Sequence, residues 1–174
     1  TDIRARLPRA FHTLVRGYLE VVRISPDVEA GAPGAYGGAG TIDGSEPGHF
    51  WINLRTPALH TKFDLADLTY HEAIPGHHLQ LAISQELTDL PDFRRHNGPT
   101  AYIEGWGLYT ERLSDEMGLY SGDLDRIGVL SFDAWRACRL VVDTGMHAFG
   151  WTRRQAIDFM LEHTVLAENN VVNE

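Results

Sequence analysis

The amino-acid sequence predicts a mainly α-helical fold with one small β element. Its 174 residues are about one domain's worth, and 43% hydrophobic with 22% charged residues is typical of a globular chain. Apolar side chains recur at three- and four-residue spacing over most of the chain, as expected of helices with one buried face. Glycine and proline concentrate between residues 25 and 48, and this stretch cannot hold a helix.

The first helix is predicted over residues 1–24, where arginine and glutamate separate the apolar positions. The stretch rich in glycine and proline follows, with a turn signal at Asp43-Gly44. Residues 49–54 then predict a strand, which places the β element near residues 35–54. The glycines lack the spacing and the Lys-Ser/Thr pair of a P-loop, so a phosphate-binding loop is a weak alternative.

Further helices are predicted at residues 57–90, 100–117, 121–146 and 152–167. Pro75 and Gly76 interrupt the first of these, because proline removes a backbone donor and glycine tolerates unusual dihedral angles. Thr152, with Gln155 three residues later, has the capping-box pattern that starts the last helix. No internal repeat or linker divides the chain, so residues 1–174 are predicted to form a single unit.

Composition excludes several classes of function. Fifteen Lys and Arg against twenty-four Asp and Glu give a net charge of −9, which argues against a nucleic-acid partner. No apolar run approaches the roughly 20 residues of a membrane span, so a soluble protein is expected, with the compartment, cytoplasmic or exported, left open. The one cysteine, Cys138, allows neither an internal disulfide nor a cysteine-rich zinc site. Any metal must therefore be held by histidines, of which there are nine, and by carboxylates.

The segment YHEAIPGHHLQ carries the chemistry of the chain. It places His71 beside Glu72 and brings two more histidines, His77 and His78, after a short interruption. Catalytic zinc sites use three such ligands, and the usual H-E-x-x-H helix puts both histidines on one face. Here the fourth position after His71 is Pro75, which cannot bind metal, so the usual pattern fails as it stands.

An irregularity in the helix can restore the site. In a continuous helix His71 and His77, six residues apart, are about 9 Å apart along the axis and on nearly opposite faces. A bulge over residues 73–76 would bring a later histidine back to His71. His71 and His77 are then predicted as zinc ligands, with Glu72 directed at water and His78 as the alternative to His77. A histidine pair that merely caps a helix remains the competing interpretation.

The third ligand is expected from the segment YIEGWGLYTERL, which supplies Glu104 and Glu111 on one helical face. Glu104 is preferred as the ligand, because Gly105 and Gly107 would let this helix approach closely. Glu111 is then predicted to accept the free N–H of a ligand histidine, or to serve as an alternative ligand. Both glutamates fit an exposed helix face equally well.

Four ordered motifs support a resemblance. They are DGSEPGHFWINL, YHEAIPGHHLQ, AYIEGWGLYTERL and RLVVDTGMHAFGWTRRQAIDFM. Together they resemble the zincin-like bacterial family known as domain of unknown function eight-eight-five, which has the hallmark HEAxPGHH. That family is similar to the gluzincin peptidases, especially the Taq-type carboxypeptidases, with their His-Glu…Gly-His helix and downstream glutamate ligand. Because family members are several hundred residues long, the resemblance implies that residues 1–174 are a catalytic core that is incomplete at both ends.

The function predicted on these grounds is a zinc-dependent hydrolase that cleaves peptide bonds. Glu72 would take a proton from water and deliver it to the leaving amine. The strand at residues 49–54 would pair with the substrate backbone. Two alternatives stay open: a zinc amidase or esterase acting on a small non-peptide substrate, and a zincin-like module that binds without catalysis. The oligomeric state is not predicted.

Further candidates complete the predicted site. His147, with Tyr109 behind it, is predicted to stabilise the oxyanion. Arg136 and Arg139 are predicted to bind a substrate carboxylate, which would suit a carboxypeptidase. The competing interpretations are a buried His147 bonded to Asp143, and arginines paired with aspartates of their own helix.

Overall fold

The structure is a computed structural model and describes residues 3–59 and 61–174. Eight helices are present in these ranges: α1 (Ile3–Arg6), α2 (Lys62–Glu72), α3 (His77–Glu86), α4 (Asp92–Arg95), α5 (Thr100–Glu116), α6 (Asp123–Ala148), α7 (Arg153–His163) and α8 (Glu168–Asn173). Two short 3-10 helices lie at Leu7–Arg9 and Pro57–Leu59. Together with one small sheet, they confirm the predicted fold class.

The sheet has three strands, β1 (Leu19–Arg23), β2 (Ala35–Gly38) and β3 (Gly48–Ile52), in the order β1-β3-β2. β3 is parallel to β1 and antiparallel to β2. The β element is therefore where it was predicted, but β3 lies in the centre and both of its edges are paired. The prediction that this strand binds the substrate backbone is wrong, because only an outer strand has a free edge.

The predicted helix over residues 1–24 is also wrong. Helix α1 is short, Pro8 follows in a 3-10 turn, and the apolar segment further on forms β1. Val21 and Val22 have β-branched side chains, which suit a strand, and β1 pairs with β3 along its whole length. Three- to four-residue spacing of apolar side chains does not reveal a strand partner that lies about thirty residues away.

Helices α2, α5 and α6 form the centre of the molecule, with α2 packed against both of the others. A Cβ atom at Gly128 of α6 would lie 2.2 Å from the backbone oxygen of Phe63, so this glycine lets α6 approach α2 closely. Tyr70 of α2 meets the ring of Tyr120 edge-on at 5.0 Å. A second apolar cluster joins α6 to α7 and α8 and includes Cys138.

Strand β2 is the part of the sheet that packs against α2 and α3. Ala35 and Phe50 are buried, whereas Tyr36 and Trp51 alternate with them and stack on each other at 5.0 Å. A Cβ atom at Gly48 would lie 2.3 Å from Nδ1 of His78, so α3 lies close against the sheet at this point. β2 therefore runs beside the histidine-bearing segment.

Two predicted helix boundaries are confirmed. α2 ends at Glu72 and α3 begins at His77, with a cis peptide bond between Ile74 and Pro75. The predicted bulge is thus a complete break between two helices. The Thr152 side chain accepts from the backbone N–H of Gln155 in a capping box that starts α7. In the described part of the chain, no helix is long and apolar enough to cross a membrane.

Candidate metal centre

Three predicted ligands meet where α2, α3 and α5 come together. His71 lies in the last turn of α2, His77 is the first residue of α3, and Glu104 lies in the second turn of α5. One ligand atom from each side chain lies within 4.8 Å of the other two. The break after Glu72 makes this possible, because it restarts the helix axis and returns His77 to the side of His71.

The interatomic distances in this cluster are close to those between two ligands of one metal ion, with each histidine facing a different oxygen of Glu104. Nε2 of His71 lies 3.5 Å from Oε2 of Glu104, and Nε2 of His77 lies 3.6 Å from Oε1 of the same carboxylate. Direct N–H···O hydrogen bonds are shorter, about 2.7–3.2 Å. Zinc lies about 2.0–2.2 Å from such ligand atoms, so two ligands of one tetrahedral zinc are roughly 3.3–3.6 Å apart. The residues present therefore fit zinc.

Both histidines are oriented by partners on their other ring nitrogen. Nδ1 of His71 lies 2.7 Å from Oε1 of Glu111, and Nδ1 of His77 lies 3.1 Å from Oε1 of Gln80. These oxygens accept an Nδ1–H, so Nε2 is the nitrogen of each ring that faces the cluster. Glu111 has the position predicted for it behind His71. Gln80 was missed, although it lies one turn after His77, where a side-chain partner is expected.

Glycine and tryptophan residues of α5 fix the approach of that helix to the break. A Cβ atom at Gly107 would lie 2.4 Å from Cε1 of His71, whereas one at Gly105 would meet no atom within 4 Å. The expected close approach therefore depends on Gly107 and not on Gly105. Nε1 of Trp106 donates to the backbone oxygens of Pro75 at 3.0 Å and Gly76 at 3.3 Å.

Glu72 is buried next to the three ligands and lies against β2. Burial raises the pKa of its carboxyl group, and the charges of His71 and His77 oppose that rise. The backbone N–H of Gly37 donates to this carboxylate. A Cβ atom at Gly37 would lie 2.6 Å from the backbone oxygen of Glu72 and 3.2 Å from its Oε2, so a side chain there would displace the glutamate.

The ligands also shift one another's protonation. Burial lowers the pKa of His71, but contacts with Glu104 and Glu111 outweigh it and raise the pKa to about 9. The imidazoles of His71 and then His77 hold the pKa of Glu104 well below its usual range. A cation placed between these groups would take over the role of the imidazolium protons.

Arg136 does not face open solvent as a substrate-binding residue would. Its Nη2 donates to Oε1 of Glu111 at 2.6 Å, and its guanidinium lies 4.9 Å from the ring centre of Phe132. Nη2 is also 3.1 Å from Nδ1 of His71, but that nitrogen uses its proton toward Glu111. Both predictions for this residue, a substrate carboxylate and an aspartate of its own helix, are replaced by a partly buried pair with Glu111.

Arg139 has a different partner from either of those predicted. Its Nε and Nη2 donate to the two carboxylate oxygens of Glu174 at 2.6 and 2.7 Å. The guanidinium stacks over Trp135 at 4.4 Å. Arg139 is thus held by a protein carboxylate and not by an aspartate of α6.

The remaining candidates lie outside the cluster. His147 has a 74% exposed side chain, and its Nε2 is 3.6 Å from Oδ1 of Asp143, so it is neither buried nor directed at the ligands. Tyr109 is exposed and packs against Trp106 at 5.7 Å. His78 is buried against the sheet, and burial lowers its pKa. Of the two adjacent histidines, the structure therefore brings His77 and not His78 to the cluster.

Comparison with known proteins agrees with this fold. The chain matches the family described as "Bacterial protein of unknown function (DUF885)" over residues 1–174, and it belongs to that family. It is similar to the crystal structure of a "putative lipoprotein" from Colwellia psychrerythraea, with 44% sequence identity and a TM-score of 0.93 over 98% of the chain. A "putative lipoprotein of unknown function" from Shewanella oneidensis shares the fold at 20% identity, with a TM-score of 0.64 over 98% of the chain.

The chain spans 29% of the Colwellia protein and 33% of the Shewanella protein. No curated protein sequence shows significant similarity to it.

Proposed function

We propose that this chain holds a zinc ion on His71, His77 and Glu104 and hydrolyses peptide bonds. The observation that carries the proposal is the convergence of two imidazole Nε2 atoms on one carboxylate, at 3.5 and 3.6 Å. Because each Nδ1 already faces an oxygen acceptor, Nε2 is the ring nitrogen that remains for a metal once its own proton is lost. Zinc would supply a Lewis acid that polarises a carbonyl group and acidifies water.

Glu72 is the proposed general base. It follows a ligand directly in sequence, is buried beside the cluster, and has a raised pKa, which suits a group that must both accept and return a proton. It would take the proton of the attacking water and then donate it to the leaving amine nitrogen. The N–H of Gly37 holds the carboxylate in place from the side of the sheet.

The outer edge of β2 pairs with no other strand among the described residues, and this favours a peptide as the substrate. The backbone N–H of Asn53 donates to the oxygen of Gly34, so the alternating antiparallel pattern directs the backbone groups of Ala35 and Gly37 away from β3. Gly37 meets Glu72 on this outer side. Since the Gly37 N–H already donates to the Glu72 carboxylate, an extended peptide would pair with β2 at Ala35, next to the proposed base.

The site of action is proposed from the relatives alone. Both similar structures carry the description of a putative lipoprotein, and one is 44% identical to this chain over the part that matches. We therefore propose that the protein is exported. Fractionation of cells that express the full-length protein would test this, and recovery in the cytoplasm alone would contradict it.

Metal analysis followed by peptide cleavage tests the function. The purified full-length protein should contain one zinc per chain or take it up at neutral pH, and anomalous scattering at the zinc edge should place it between His71, His77 and Glu104. A peptide library should then be cleaved by the wild type and by Glu116→Gln, an exposed control on α5. Glu72→Gln should cleave about 10²–10⁴-fold more slowly.

Each result separates the alternatives. A protein that takes up no zinc would refute the proposal and leave a binding module. Zinc without peptide cleavage, but with hydrolysis of small amides or esters that depends on Glu72, would favour the non-peptide hydrolase. Equal rates for Glu72→Gln and the wild type would show that another group is the base.

A further inference from the structure

A pair of carboxyl groups lies behind His71, on the Nδ1 side of its ring. Asp67 of α2 and Glu111 of α5 are both 0% exposed. Asp67 lies one turn before His71, and the hydroxyl group of Tyr120 contacts both its carboxyl group and the backbone oxygen of Glu111; the carboxyl group of Glu111 raises the pKa of Asp67. Two neighbouring buried carboxyl groups do not both ionise at low cost, because like charges repel strongly where water is excluded.

The hydrogen bonds around this pair show where a proton is needed. Oε1 of Glu111 accepts from Arg136 at 2.6 Å and from Nδ1 of His71 at 2.7 Å. Oδ1 of Asp67 accepts from the hydroxyl group of Tyr120. Oδ2 of Asp67 has no donor in the described part of the chain. A proton on Oδ2 would make this oxygen a hydrogen-bond donor. The neighbouring carboxylate of Glu111 can accept that hydrogen bond.

We propose that Asp67 is a positioning residue of the metal centre: its Oδ2 carries a proton, donates to Glu111, and holds Glu111 where it accepts the Nδ1–H of His71. The inference rests on the proposed zinc site, since it assigns to Asp67 a role toward a ligand. Burial, followed by the charge of Glu111, raises the pKa of Asp67 to about 7, in agreement with a protonated group.

The charged and titratable groups around Asp67 are consistent with one shared proton. Arg136 offsets the charge of Glu111, and the imidazole of His71, with its raised pKa, also contacts that carboxylate. Burial, and then the bond to Asp67, raise the pKa of Tyr120, so its hydroxyl group remains a donor. Tyr70 directs its own hydroxyl group to the backbone oxygen of Leu119. Asp67 therefore orients Glu111 without adding a second negative charge behind His71.

Two substitutions of Asp67 test whether its hydrogen bonds are what the metal centre needs. Asp67→Asn keeps the shape, the acceptor for Tyr120 and a donor toward Glu111. Asp67→Ala removes both hydrogen bonds. In the full-length protein, Asp67→Asn should bind zinc within about threefold of the wild type, and Asp67→Ala about 10–100-fold more weakly. Asp89→Ala, in an exposed loop, is the control and should change nothing.

Zinc affinity is measured by competition with a chromophoric chelator, on variants that circular dichroism shows to be folded. Infrared spectroscopy of the metal-free protein near pH 6 provides an independent measurement. The wild type should show the carbonyl stretch of a buried carboxylic acid, and this band should persist in Glu72→Gln but be lost or weakened in Asp67→Asn.

The proposal is overturned if the wild type lacks this band, or if Asp67→Ala binds zinc as tightly as the wild type. A wild type that has the band, but takes up no zinc, supports the shared proton and refutes the metal site instead. The two proposals thus fail on different measurements.

Discussion

Substitution of Gly107 by alanine offers a direct test of how α5 fits against His71. The added Cβ atom would lie 2.4 Å from Cε1 and 2.7 Å from both nitrogens of the His71 ring. Nonbonded carbon atoms prefer separations of about 3.5–4.0 Å, so the overlap is roughly 1 Å or more. His71 cannot simply rotate away, because Glu111 holds its Nδ1 at 2.7 Å. Either α5 or the ligand must move.

Gly105→Ala is the matched control, since it lies on the same helix with no atom within 4 Å of the added Cβ. Alanine favours helix over glycine by about 0.5–1 kcal/mol, so Gly105→Ala should be as stable as the wild type or more stable. Gly107→Ala has the same gain in helix propensity, but overpacking typically lowers the free energy of unfolding by about 1–3 kcal/mol. Gly107→Ala should therefore unfold with a free energy about 2 kcal/mol below that of Gly105→Ala.

The assays are denaturant unfolding and zinc competition on the full-length protein. Gly107→Ala should also bind zinc at least about tenfold more weakly, because the displaced imidazole no longer meets Glu104. Equal stability of the two variants, together with unchanged zinc affinity in Gly107→Ala, would refute the packing described for α5.

Three further predictions concern the ligands and their partners. His77→Ala should abolish zinc binding while His78→Ala leaves the affinity within a few-fold, as measured by chelator competition; the reverse result would assign the ligand to His78. Gln80→Ala should weaken zinc binding about 10–100-fold by releasing Nδ1 of His77, whereas an unchanged affinity would show that the Gln80 contact orients nothing. In the metal-free protein, the raised pKa of His71 contributes stability that is fully present below about pH 6.5 and is lost as the pH rises through about 9. Thermal unfolding should therefore show stability falling over this window in the wild type, and a His71→Gln variant with the same fall would contradict the assignment.

The sequence by itself determined the helical class and the ligand candidates of this protein. Helix periodicity, the capping box at Thr152 and the interruption at Pro75 are local features, because backbone hydrogen bonds within helices join residues only four apart. The residue types of His71, His77 and Glu104 likewise identify them as candidate metal ligands from the sequence. Gln80 could also have been found, since its partner is three residues away in the same helix.

Only the tertiary structure decided how these parts are combined. Residues 19–23 form a strand because β3 is available to pair with them, and apolar spacing alone cannot reveal such a partner. Arg136 turns to Glu111 on another helix, and His147 remains exposed, because side-chain partners depend on which helix faces meet. The choice of His77 over His78 follows from the same cause: the break after Glu72 sets the direction in which α3 starts, and this is a property of the packed backbone and not of the local sequence.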